Sequence, residues 1–146
     1  MIYLPFLAGL IGLVTLTGTQ AVFAPADGIA LKAAVASCLS ETLDGSCPNV
    51  AASNVPGTNN PYGVIGDWDV SEVILMDMMF WNAFAFNGDI SMWDTAKVAD
   101  MDMMFLNALA FNGYLSKWNT AKVIDMSFMF ADSLFNSDIS KWDTRR

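Results

Sequence analysis

The sequence predicts an α/β fold, a right-handed solenoid of about three stacked coils behind a small helical cap. Three observations predict it. A unit of about 25 residues recurs three times, each unit joins a helix-spaced apolar run to a short strand-like run, and an amphipathic segment precedes the first unit.

From Asp69 the first unit reads DVSEVILMDMMFWNAFAFNGDISMW, and from Asp94 the second reads DTAKVADMDMMFLNALAFNGYLSKW. The third, from Asn119, reads NTAKVIDMSFMFADSLFNSDISKW and is one residue shorter after Phe130. The units span 69–93, 94–118 and 119–142, and Asp143-Thr144 opens a partial fourth. Matched columns include Trp68/Trp93/Trp118/Trp142, Val73/Val98/Val123, Met76/Met101/Met126, Met79/Met104/Met129, Phe80/Phe105/Phe130 and Phe86/Phe111/Phe135.

Within a unit, Val73, Met76, Met79, Phe80, Ala83 and Phe84 recur at helical spacing and share one face. Asp69, Asp94 and Asn119 stand where helix N-caps belong, and Asn87-Gly88 and Asn112-Gly113 stand where a helix stops. Asn136-Ser137 is a weaker terminator in the third unit. Asp89 to Trp93 then reads as one short strand. One coil cannot bury its own apolar face, so coils stack with their strands in parallel register. A helix and a strand in this length match a leucine-rich-repeat coil. Met78, Met103 and Phe128, with Trp81 and Leu106, fall off the helical face. Either the helix breaks into shorter turns, which is the preferred reading, or an apolar stripe reaches the outer surface.

The run W-D-x-S/A-x-V-x-x-M-x-x-M-F, followed by F-N-x-D-I-S-x-W, is carried by Trp68-Asp69 through Met79-Phe80, by Phe86-Asn87 through Trp93, and by their two later copies. It resembles the 25-residue repeat of the BspA-like leucine-rich-repeat surface proteins, over residues 62–144. The resemblance implies a secreted or surface protein without catalytic activity that serves adhesion or protein binding. Members of that family are often lipoproteins, and this leader ends without a cysteine to accept lipid.

Three regions follow: a leader over 1–26, a cap and linker over 27–61, and the repeats over 62–146. Met1 to Ala24 carries no charged side chain, and Ala24-Pro25-Ala26 offers a small-residue cleavage pattern. That is the layout of a secretory signal peptide, although no Lys or Arg precedes the apolar run. An uncleaved N-terminal anchor is the alternative, because Ile2 to Ala24 is just long enough to span a bilayer of ~30 Å. In the cap, Ile29, Leu31, Ala34, Val35, Cys38 and Leu39 predict an amphipathic helix covering the first coil. Cys38 and Cys47 read as a local disulfide in a secreted chain, with two unpaired thiols as the alternative. Two sulfurs without a histidine leave a metal site half built.

The net charge is −8 and there is no histidine. Lys32, Lys97, Lys117, Lys122, Lys141, Arg145 and Arg146 form no dense basic run, so nucleic acid is not an expected partner. No cofactor or metal is expected. The Asp69/Asp94/Asn119/Asp143 column is read as helix capping, with calcium held between coils as the sharper alternative. The acids follow the repeat rather than breaking it, which argues against a hydrolase and for a protein that is not an enzyme.

The candidate interaction columns are Trp68, Trp93, Trp118 and Trp142, and Ser91, Ser116 and Ser140. Strands ~4.8 Å apart would make the indoles a ladder, either packed inside or open to a sugar or a partner. The expected function is extracellular interaction or adhesion with a protein or glycan. A structural component of an envelope or matrix, or a carbohydrate-binding module, are the alternatives. The membrane is contacted only through the leader if it stays uncleaved. The last coil, lacking a cap after Trp142, is expected to self-associate through this end or to be marginally folded there.

Overall fold

The computed structural model describes residues 15–17, 20–54 and 61–144. Most of the expected leader therefore lies outside the described residues. Its end forms a short antiparallel pair, β1 (Thr15–Thr17) and β2 (Gln20–Val22). Phe23 follows and is buried against Tyr62 and Trp68, at ring distances of 4.7 and 5.1 Å. Its carbonyl accepts from the Asp69 N–H at 2.9 Å.

The expected amphipathic helix is α1 (Gly28–Glu41). Asp27 caps it by accepting from the Ala30 N–H at 2.8 Å. Leu31, Ala34, Val35 and Cys38 are buried, while Ile29 at the first turn points outward. Helix α1 lies against the first repeat. A Cβ on Gly28 would sit 2.2 Å from the Leu75 carbonyl oxygen, so only glycine permits this approach. Cys38 and Cys47 form a disulfide with both side chains fully buried and Cα atoms 5.0 Å apart. The bridge holds α1 to the loop where Gly45, at φ +86°, abuts the Phe86 ring. A short helix, α2 (Pro48–Ala52), follows, and the Glu41 carboxylate accepts from its Asn49 and Val50 N–H groups at 2.7 Å each.

The repeats are not an α/β solenoid, and this corrects the fold class read from the sequence. Among the described residues from 68 to 144 there is no helix, the strands expected at Asp89–Trp93 and its copies do not form, and the isolated parallel bridges, Leu75 to Asp100 and Asp100 to Asp125, fall in the run expected to be helical. The units are chains of tight turns. In the first, N–H groups donate three residues back at Val73→Val70, Met79→Met76, Trp81→Met78, Ala83→Phe80 and Phe86→Ala83. The reason lies in the backbone. Met78 and Asn82 have φ of 52° and 57°, Met103 and Asn107 52° and 61°, and Phe128 and Asp132 54° and 53°. Two left-handed residues per unit end any right-handed helix before it completes a second turn. Asn and Asp tolerate that region through local hydrogen bonding, which explains one of the two columns.

The apolar spacing that suggested a helix serves the turns equally well. Val70, Val73, Met76, Met79, Phe80, Ala83 and Phe86 are all buried, one or two for each turn. Phe84, expected on the same face, is 57% exposed. Nor do Asn87-Gly88 and Asn112-Gly113 stop helices. Gly88 and Gly113 stand where space is tight, since a Cβ there would be 2.9 and 3.0 Å from the rings of Phe86 and Phe111 and the ring would have to give; Ser137 takes the equivalent place beside Phe135 in the third unit.

What holds the units together runs between them. Met76, Met78, Phe80 and Asn82 N–H groups donate to the carbonyls of Asp100, Asp102, Met104 and Leu106 at 2.8–2.9 Å. One unit later, Met101, Met103, Phe105 and Asn107 donate to Asp125, Ser127, Met129 and Ala131 at 2.8–3.0 Å. These rungs satisfy backbone groups that a lone unit would leave unpaired in its interior. Three aromatic ladders fill the core. Phe80, Phe105 and Phe130 stack at 5.2 and 5.5 Å; Phe86, Phe111 and Phe135 at 5.7 and 6.0 Å; Trp93, Trp118 and Trp142 at 6.4 and 6.3 Å. Phe80, Phe86, Phe105 and Phe111 are fully buried, whereas Phe130 and Phe135 are only partly so.

Candidate interaction surface

The tryptophan columns are inside. Trp68, Trp93, Trp118 and Trp142 are each at most 8% exposed. Their indole N–H groups donate to the carbonyls of Gly63, Ile65, Ile90 and Leu115 at 2.9–3.1 Å. An indole so placed has both its apolar body and its polar edge used by the fold. The ladder exists, and it offers no open face to a sugar ring.

The acid column does not cap helices either. Asp69, Asp94 and Asn119 each accept from the N–H two residues on, at 3.0–3.1 Å, which makes an Asx turn. Asn119 performs this as Asp94 does, so the position needs an acceptor oxygen and not a charge. Among the described residues, no three acidic or cysteine side chains are grouped to hold a metal ion. Ser91 and Ser140 stand at the ends of similar turns, their N–H groups donating to Asp89 and Asp138 at 2.9 and 2.8 Å. Those hydrogen bonds, backbone first and then hydroxyl, hold both carboxyls below the usual aspartate range. Ser116 is half-buried, like Ser91, and Ser140 is exposed.

Exposed apolar side chains occur at several positions, Ile74, Phe84, Ile124 and Leu134 among them, and one outward-facing column is the one that the periodicity set apart. Met78, Met103 and Phe128 are the left-handed corners of equivalent turns, and Trp81, Leu106 and Ala131 close those turns by donating back to them at 3.0–3.2 Å. The helix thus gives way to turns and the apolar stripe also reaches the surface, so the two readings offered as alternatives hold together. Met78 is 39% exposed, Trp81 53% and Phe128 66%, with Met103 and Leu106 half-buried between them. Trp81 is the one exposed indole among five.

Acidic residues border this column. Asp77 and Asp102 immediately precede Met78 and Met103, and Asp100 and Asp125 share one bridged position. Lys32 pairs with Asp77 at 3.0 Å and Lys97 pairs with Glu72. Among the described residues, Asp100, Asp102 and Asp125 have no such cation. One Asp102 carboxylate oxygen is buried without a hydrogen-bond partner. Desolvation, and then the charges of Asp125, Asp100 and Asp77, push the Asp102 carboxyl above the usual aspartate range. Asp125 is held low instead by hydrogen bonds from Ser127.

A second feature is a groove of about 670 Å³ between α1 and the first unit, lined mainly by Ile29, Ala33, Ile74 and Leu75, with the Lys32–Asp77 pair at its side.

Residues 52–146, which hold the whole repeat stack, match the family model described as "Mycoplasma protein of unknown function, DUF285". The chain belongs to this family. The DUF285 match begins beyond α1 and the disulfide, and no BspA-like or leucine-rich-repeat family is shown. No curated protein and no solved structure matches the sequence. Among the described residues, no helix is long and apolar enough to cross a membrane.

Proposed function

We propose that this DUF285 chain is a non-enzymatic interaction module, working outside the cytoplasm and binding a protein partner through its outer apolar column. The observation that carries the reading is the exposure of Trp81 in line with Met78, Met103, Leu106 and Phe128, while the other four tryptophans are packed away. A fold that can bury indoles in every unit leaves this one in water, and contiguous exposed apolar groups of that kind mark interaction sites. The apolar leader and the buried disulfide support an extracytoplasmic location. The BspA-like resemblance supports the same role.

A photo-crosslinking side chain placed at position 81 tests it in cells that produce the protein. Protein adducts are expected at this position and not from the same group at exposed Lys117, remote in sequence from the column. Equal labelling at both positions, or none at 81, refutes the reading. Fractionation of the same cells checks the location, and a protein confined to the cytoplasm refutes that part.

A further inference from the structure

We infer that the outer apolar column is a seat for a cationic amphipathic helix lying along the stack, with its apolar stripe on Met78, Met103 and Phe128 and its lysines or arginines on Asp100, Asp102 and Asp125. The inference rests on the interaction reading and names the partner's chemistry.

Spacing points to a helix. Hydrogen bonds of 2.8 Å from the Met78 and Met103 N–H groups to the Asp102 and Ser127 carbonyls set successive corners at the spacing of paired chains, about 4.8 Å, and an α-helix rises about 5.4 Å per turn. A helix along the stack therefore sets one apolar residue against each unit's corner, in the i, i+3 or i+4, i+7 pattern of an amphipathic face. An extended strand, rising about 3.3 Å per residue with alternating faces, repeats about every 6.6 Å and drifts out of step with the corners.

Charge selects the sign. The chain carries −8, and the carboxylates of Asp100, Asp102 and Asp125 run beside the column with no basic side chain paired to them among the described residues. Like charges gathered along one edge favour a partner that brings cations, and repel an anionic helix or an anionic membrane surface.

The test uses the full chain and a synthetic Leu/Lys helix of about 14 residues, four turns at 3.6 residues per turn. Trp81 is the reporter, since the other indoles are already shielded. Binding is expected to shift its emission to the blue and protect it from acrylamide, with affinity falling as salt rises. The double variant Asp102→Asn, Asp125→Asn should weaken binding at least tenfold at low salt while keeping the Asx turns, as Asn119 keeps its own. Trp81→Ser, at an exposed site that does not risk the fold, should weaken binding measured by calorimetry. Equal binding of a Leu/Glu helix, or no effect of the carboxylate variants, overturns the proposal. So does an equal Trp81 shift with phosphatidylcholine vesicles, which would make a lipid surface the occupant. Adducts at position 81 without Leu/Lys binding overturn the cationic helix and leave the interaction reading standing.

Discussion

Removing one ring from the middle of the phenylalanine ladder should cost far more than removing the last. Phe105 is fully buried and touches rings on every side: Phe80 at 5.2 Å, Phe130 at 5.5 Å, Phe111 at 4.1 Å and Trp118 at 6.3 Å. Phe130 keeps Phe105, Phe135 at 4.0 Å and Trp142 at 6.1 Å, with no ring stacked on its other side among the described residues, and is only partly buried. Phe→Ala at a fully buried site costs about 3–5 kcal/mol, because the lost transfer energy is joined by a cavity. Phe130→Ala opens toward solvent, leaves little cavity, and should cost roughly half as much, ~2 kcal/mol. With a urea slope of about 2 kcal/mol per molar, the two midpoints should differ by about 1 M. Equal midpoint losses at unchanged slope would refute the linear stack as the source of cooperativity.

Asp102→Asn should raise stability at neutral pH. The folded carboxyl titrates above its unfolded value, so the folded state binds the proton more tightly, and the penalty is present at pH 7 and vanishes as pH falls below the unfolded value of 3.8. Melts at pH 7 and pH 3 should show the gain only at pH 7, and a gain of equal size at both would contradict the electrostatic account. The Cys38–Cys47 bridge closes a short loop and should contribute about 2–3 kcal/mol. Thiol titration of the unreduced, denatured protein should find none free, and reduction should lower the melting temperature; two free thiols would remove the bridge from the fold. Gly45→Ala combines a positive φ with a Cβ 2.5 Å from the Phe86 ring, and should destabilise by about 1–3 kcal/mol. A neutral effect by urea denaturation would mean that the loop over Phe86 can move.

The repeat length, the ladder columns, helix α1 and the pairing of Cys38 with Cys47 were legible in the chain, because each rests on a local or periodic regularity. Recurrence of Phe80, Phe105 and Phe130 every 25 residues suffices to place like against like once units stack. The conformation within a unit was not legible. A spacing of three to four between buried residues is shared by an α-helix and by successive tight turns, and only the backbone distinguishes them. The signals present were slight: Asn82, Asn107 and Asp132, residues that accept the left-handed region, and the out-of-phase column of Met78, Met103 and Phe128. Met and Phe have no local preference for that region, so their φ of 52–54° is imposed from outside the turn. The Met78 and Met103 N–H groups bond to the next unit from that conformation, and Phe128 adopts it without such a bond among the described residues. The same is true of the site. Sequence could nominate a tryptophan column, but which indoles are sealed and which one stays in water was settled by neighbours 25 residues away, since burial is a property of packing and not of residue type.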